Sequence, residues 1–147
     1  MRVMAIDPGK RRFGIALCDP LGLTVTPLTT LDKKRTKNVV ADIVDLVKKE
    51  GVEAIVVGLP LEVDGTFGPA AKRSMHFRGK LEAALSEADC PTPIESLNEA
   101  FTTTEAYSRL RERGIVGEKA KAVVDEEAAA VILESYLRQK AQGEPGS

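Results

Sequence analysis

Three acidic residues stand out by position: Asp7, Glu99 and Asp125. Asp7 ends the apolar run Arg2 to Ile6 and is followed by Pro8-Gly9, with a second glycine at Gly14. A carboxylate leaving a buried strand is costly to hold unless it is solvated, paired or bound to a cation. Glycines beside it let a phosphate or a backbone segment come close. Glu99 follows the short apolar segment Pro93 to Leu97, and ligands gather at the carboxyl ends of strands in α/β sheets. Asp125 precedes Glu126-Glu127-Ala128-Ala129-Ala130 and has the form of a helix cap. Each acid also has a plain structural reading: a hairpin turn for Asp7, a solvated acid beside a helix N-terminus for Glu99, a cap for Asp125. Brought to one end of a sheet, the three would repel and raise one another's pKa. A hard, oxygen-loving cation, Mg²⁺ or Mn²⁺, removes that cost. One or two such ions between Asp7, Glu99 and Asp125 would activate a water and stabilise a leaving oxygen. His76 is the single imidazole, so no Ser-His or Cys-His arrangement is expected.

Basic residues frame the acids: Lys10-Arg11-Arg12, Lys33-Lys34-Arg35, then Arg109, Arg111 and Arg113, then Lys119 and Lys121. Each group reads either as a solvated face or as a set of phosphate contacts, which give salt-sensitive, sequence-independent affinity. Lys10, Arg11, Thr102 and Lys121 are the candidates for substrate contact. Aromatic residues make up 4% of the chain, which disfavours a base-stacking platform.

The elements that must position these groups follow from periodicity. Arg2 to Ile6, Phe13 to Cys18 and Thr24 to Thr30 are short β-rich runs too close together for a helix between them, so an antiparallel meander is expected. Thr36 to Glu50 has one apolar face at Val39, Val40, Ile43, Leu46 and Val47 and stops at Gly51, as an amphipathic helix does. Glu53 to Gly58 reads as a buried strand, Gly68 to Ala88 as a helix, and Pro93 to Leu97 as a fifth strand. Thr102-Thr103-Thr104-Glu105 is a capping box opening a helix to Arg113, with Gly114 as its stop. A last helix is expected from Asp125, with Ala129, Ile132, Leu133, Tyr136 and Leu137 as its stripe. The order predicts a mixed five-stranded α/β sheet with helices on both faces, in one domain over residues 1–141 with a flexible tail at 142–147.

A length of 147 residues suits one core of good size. The net charge of -1 argues against coating nucleic acid by bulk charge but leaves room for a local basic rim. Cys18 and Cys90 have no ligand spacing, and with one histidine a zinc site is not expected. Apolar stretches such as Ala54 to Leu61 are too short to cross a membrane. Met1-Arg2 does not have the form of a signal peptide, and a cytoplasmic location is expected.

Several ordered segments carry a family likeness. Ala5-Ile6-Asp7-Pro8-Gly9-Lys10-Arg11-Arg12-Phe13-Gly14-Ile15-Ala16 resembles the opening of the YqgF (RuvX) family of Holliday junction resolvases, also described as pre-16S rRNA nucleases. So do Gly58-Leu59-Pro60 with Asp64-Gly65, Thr102-Thr103 with Ala106, and Asp125 with Ala128-Ala129 and Ile132-Leu133. The likeness spans about residues 1 to 138. It implies a ribonuclease H-like fold and metal-aided phosphodiester hydrolysis, with Asp7 and Asp125 as metal-binding carboxylates. It also implies precursor 16S rRNA as substrate, or a branched DNA junction; between monomer and homodimer the sequence does not choose. Two rivals stand beside it. One is a non-catalytic nucleic-acid-binding module of the same fold. The other is an actin-like ATPase, which shares the Asp-x-Gly turn but needs two lobes where this length provides one.

Glu99 falls on the acid of the family's Asp-Glu-Arg motif, but Asn98 stands where Asp is usual and Ala100 where Arg is usual. An amide adds no charge toward a cation, and alanine gives up a bidentate guanidinium. Asn98→Asp with Ala100→Arg should raise cleavage of a labelled substrate, and Asn98→Asp alone should chiefly tighten metal affinity. An already active natural protein that the double variant does not improve would refute this account of the two positions; another cation, Arg109 or Lys121, would then be expected in the missing arginine's role.

Overall fold

The computed structural model describes residues 1–98 and 102–143. Strands β1 (Val3–Pro8), β2 (Arg12–Cys18) and β3 (Val25–Asp32) form the antiparallel meander, followed by α1 (Val39–Glu50), β4 (Ala54–Leu59), α2 (Pro69–Glu87), β5 (Ile94–Asn98), α3 (Thr102–Glu112) and α4 (Gly117–Ala141). The sheet order is β3-β2-β1-β4-β5. β1, β4 and β5 run parallel, so their carboxyl ends share one edge of the sheet.

Strand alternation sorts residues by size as well as polarity. Met4, Ile6, Phe13, Ile15, Leu17, Ile55 and Val57 face α1 and α2, where they meet Ile43, Val47, Phe77, Leu81 and Leu85. The other face carries Val3, Ala5, Ala16, Ala54 and Val56 and packs against Ala129, Ile132, Leu133 and Tyr136 of α4. Small residues there let α4 lie close to the sheet. At Gly14 the approach is closest, because a Cβ on that residue would fall 1.8 Å from the Asp125 carbonyl oxygen. Gly14 is also the cross-strand partner of Asp7.

Asp7 lies near the end of its strand, as expected; the plain reading of it as a hairpin-turn residue fails, since it is inside β1 and paired in the ladder. One expectation is corrected. Asp125 is not a cap: α4 starts at Gly117, which puts Asp125 more than two turns in. The start was hidden because α4 is buried on two sides. Besides the stripe on the sheet, Ala120, Val124 and Ala128 meet Ala106 and Leu110 of α3. Buried Glu127 pairs with Arg113, and Arg109 joins Glu105 on its own helix to Glu134 on α4. α1 does end as expected, with Gly51 left-handed at φ 64° and its N–H bonded back to the last turn.

Gly14→Ala should destabilise the protein by roughly 3 kcal/mol, because backbone rather than a side-chain tip must move. Gly58→Ala should cost about 1 kcal/mol or less, since its Cβ would meet the movable Ile132 Cδ1, at 2.6 Å. Urea unfolding of the two variants checks this; equal losses would contradict the close approach at Gly14.

Candidate active site

The carboxyl ends of β1 and β4 open onto a cleft of about 440 Å³. Asp7, Pro8 and Gly9 form one wall, Pro60 to Val63 another, and Thr102, Thr103 and Asp125 complete it. Asp7 reaches the cleft because alternation turns residues 3, 5 and 7 toward α4. Asp125 reaches it because the bare backbone of Gly14 seats α4 there. The two acids, 118 positions apart in sequence, thus become neighbours through one glycine.

Burial and the adjacent Asp125 charge push the Asp7 carboxyl up to about 7. Asp125 is also raised, chiefly by burial, while Arg12 acts in the opposite sense. The Arg12 Nε lies 3.8 Å from Asp125 Oδ2, and its Nη1 donates to the Lys121 carbonyl at 3.5 Å. Among the described residues no side chain donates a hydrogen bond to Asp7. A part-buried carboxylate with no side-chain donor among the described residues and a second carboxylate beside it are hard oxygen ligands, which suit Mg²⁺ or Mn²⁺. Glu62 lines the opposite wall, but among the described residues no third acid, imidazole or thiolate is close enough to the two to form a three-ligand cluster. Glu99 lies outside the described residues; the chain leaves β5 at Asn98 on this same edge. Glu126, next to Asp125, turns away and accepts from Thr30 Oγ1 at 3.3 Å.

The candidate substrate contacts divide. Thr102 lines the cleft. Lys10 is exposed on the β1–β2 hairpin beside Gly9. Arg11 is engaged elsewhere, its Nε and Nη2 donating to the two oxygens of Asp32 at 2.9 and 3.0 Å. Lys121 is exposed and lines a separate groove with Tyr107 and Arg111. Arg109, one of the two residues expected to replace the missing cation, is held by Glu105 and Glu134. Sequence reasoning named Arg12 only as part of a basic run, not as a site residue, and missed Glu62. Alternation alone puts Arg12 on the face of Gly14, and Glu62 follows the carboxyl end of β4 into the cleft rim.

Residues 1–139 match the family model described as RuvX, Holliday junction resolvase. A protein of Syntrophus aciditrophicus (strain SB), named as a candidate pre-16S rRNA nuclease, is 43% identical over 137 residues, 93% of this chain and 88% of its own. A protein of the same name from Anaeromyxobacter dehalogenans (strain 2CP-1 / ATCC BAA-258) is 38% identical over 141 residues, 96% and 99% of the two chains. Among solved structures, T. thermophilus RuvC in complex with a Holliday junction superposes with a TM-score of 0.61 at 20% identity, over 99% of both chains. The fowlpox virus Holliday junction resolvase gives 0.53 at 12%, over 97% of this chain and 99% of its own. At these identities the likeness is one of fold, the ribonuclease H-like sheet.

An Asp7 carboxyl that titrates at about 7 in the fold, against an ordinary 3.8, makes the folded protein hold a proton that the unfolded chain releases. Without divalent cation, stability should therefore fall as pH rises from 3.8 to about 7 and level off above. The shift corresponds to at most about 4 kcal/mol. Asp7→Asn should be more stable than the natural protein by roughly 2–4 kcal/mol at pH 8 in EDTA, with the gain gone at pH 4. Urea unfolding across that range checks it, and a pH-independent difference would overturn the burial of Asp7 as a charge.

Proposed function

The chain belongs to the RuvX family, and from that premise we propose that it is a divalent-metal-dependent nuclease hydrolysing phosphodiester bonds, with precursor 16S rRNA as its substrate. The observation that carries this reading is the Asp7–Asp125 pair: two carboxylates held against their own repulsion at the mouth of a cleft, one of them without a hydrogen-bond donor among the described residues. Structure for its own sake gains nothing from such a pair, whereas a cation site requires one.

Asp7 and Asp125 hold the cation, with Glu99 as the third ligand contributed from beyond β5. A bound Mg²⁺ or Mn²⁺ supplies a lowered pKa for the attacking water and charge stabilisation for the leaving oxygen. Arg12, 3.8 Å from Asp125, favours its charged form against the opposing effect of burial and aims the carboxylate. The hydroxyls of Thr102 and Thr103 donate to phosphate oxygens at the first turn of α3, where the positive end of the helix dipole favours an anion. Lys10 meets the backbone of the strand beside the scissile phosphate. No covalent intermediate is formed, because among the described residues no side-chain nucleophile and base are paired in the cleft. A four-way DNA junction is the second substrate reading, on the strength of the family description. A nuclease acting on precursor rRNA would meet its substrate in the cytoplasm.

Labelled precursor 16S rRNA and a four-way junction, each offered with Mg²⁺, Mn²⁺ or EDTA, test the proposal. Cleavage should need the cation and should fall on the order of 10²–10³-fold in Asp7→Asn and in Asp125→Asn, with substrate binding in EDTA little changed. Binding without cleavage in any metal would assign the chain to the binding-module reading. Full activity in both variants would remove the two acids from the site.

A further inference from the structure

A second cavity, of about 350 Å³, lies on the opposite face of the sheet, between the segment leaving β3 and helix α2. Its charged lining is entirely basic. Lys33 and Lys37 come from the segment after β3, and Arg73 and Lys80 from α2, where a spacing of seven puts them on one face. None of these four forms an ion pair among the described residues, although Arg2, Arg11, Arg12, Arg78, Arg109, Arg113 and Lys140 all do. The Arg73 Nε is buried with no hydrogen-bond acceptor among the described residues. The floor is apolar, formed by Phe13 and Phe77 with ring centroids 5.0 Å apart, and Lys33 Nζ stands 5.6 Å above the Phe13 ring.

Four cations converging on a concave site repel one another, and a buried guanidinium N–H without an acceptor forgoes a hydrogen bond. A phosphate answers both, since it brings negative charge and several acceptors to the arginine fork. The position specifies more. Pro8 and Gly9 line this cavity and also the acidic cleft, so a single hairpin turn separates them. A chain of phosphates can cross that turn.

We propose that this cavity holds a nucleotide of the substrate strand that flanks the scissile bond, its phosphate on Arg73, Lys80, Lys33 and Lys37 and its ribose and base above the Phe13–Phe77 floor. The nuclease reading enters only in naming the strand as substrate; the shared chemistry is a nucleoside phosphate, free or within a chain.

Fluorescence anisotropy with a short single-stranded RNA, in EDTA and over a range of salt, tests the site without any cleavage. Arg73→Gln/Lys80→Gln should bind about tenfold more weakly at about 100 mM salt, and its log–log salt slope should be shallower by roughly 1–2. Lys48→Gln/Lys49→Gln removes the same charge from the far end of α1 and should stay within about twofold of the natural protein. Equal effects of the two pairs, or no effect of either, would overturn the proposal. Lys33→Gln/Lys37→Gln repeats the test from the other wall should the first pair fail to fold. With metal present, the cavity variants should raise KM while kcat stays within about twofold. If no substrate is cleaved yet the EDTA difference holds, the nuclease reading fails and the cavity stands. If cleavage proceeds with KM and salt slope unaltered, the cavity fails and the nuclease stands. Saturable binding of a free mononucleotide that Arg73→Gln/Lys80→Gln abolishes, with RNA binding untouched, would assign the site to free nucleotides and overturn its place on the strand.

Discussion

The backbone of α4 occupies the space that a side chain at residue 14 would fill, and the rest of the structure is arranged around that approach. With only hydrogen on Gly14, the Asp125 carbonyl can sit against β2, one strand from Asp7. The neighbouring positions follow suit: Ala5, Ala16 and Ala54 on the sheet meet Ala129 and Ala130 on the helix. The large side chains are sent to the other face, where α1 and α2 stand off at a distance that isoleucine, leucine and phenylalanine can fill. The same helix carries α3 on its outer side, held by a small apolar cluster and by Arg113 on buried Glu127. A single seam thus fixes one wall of the cleft and, through α3, Thr102 and Thr103 on another.

That seam brings together two carboxylates that the fold alone would keep apart. Dispersion and apolar burial along α4 supply the stabilisation, and the ionised pair works against it. The opposition is of the right size to be tolerated: a rise of Asp7 to about 7 corresponds to about 4 kcal/mol at most. Burying one leucine-sized side chain recovers roughly 2–3 kcal/mol, and the sheet–α4 interface buries several. Arg12 offsets part of the repulsion from the hairpin side, but at 3.8 Å and half exposed it cannot neutralise both acids. The residual negative potential is what a divalent cation would bind.

Strands and the amphipathic α1 were legible in the sequence because each buries one face or lies wholly inside, so period and burial agree. α4 was legible only in its second half. A helix covered by the sheet on one side and α3 on the other has no clean stripe, and Asp125 then resembles a cap when it is an interior residue of the seam. Asp7 and Asp125 were legible as acids worth watching; their meeting was not, since it depends on Gly14 admitting backbone. The two glycine readings, ligand approach or chain approach, could be separated only by seeing which atoms come within 2 Å. Arginines proved harder than acids. Arg11 and Arg109 looked free in a list of charges but are tied to Asp32 and Glu134, while Arg12, the one that reaches Asp125, stood in that list without a role.

Charge placement resolves the tension between a net charge of -1 and a polyanionic substrate. Ion pairing consumes many of the arginines in joining elements, so the formal count says little about what a phosphate chain would meet. Around the Pro8–Gly9 turn the charges divide by face. Asp7 and Asp125 meet where α4 reaches the carboxyl end of β1, and Lys33, Lys37, Arg73 and Lys80, unpaired among the described residues, line the cavity across that turn above α2. The separation matters because the two sites need opposite fields within a short distance: one to draw a cation, the other to draw the strand. A sheet is well suited to this, because successive residues of β1 and β2 point to opposite sides. Phe13 builds the floor of the basic cavity while its neighbours Arg12 and Gly14 serve the acidic cleft. Alternation along three residues is thereby enough to keep cation site and strand site adjacent in space without letting their charges cancel.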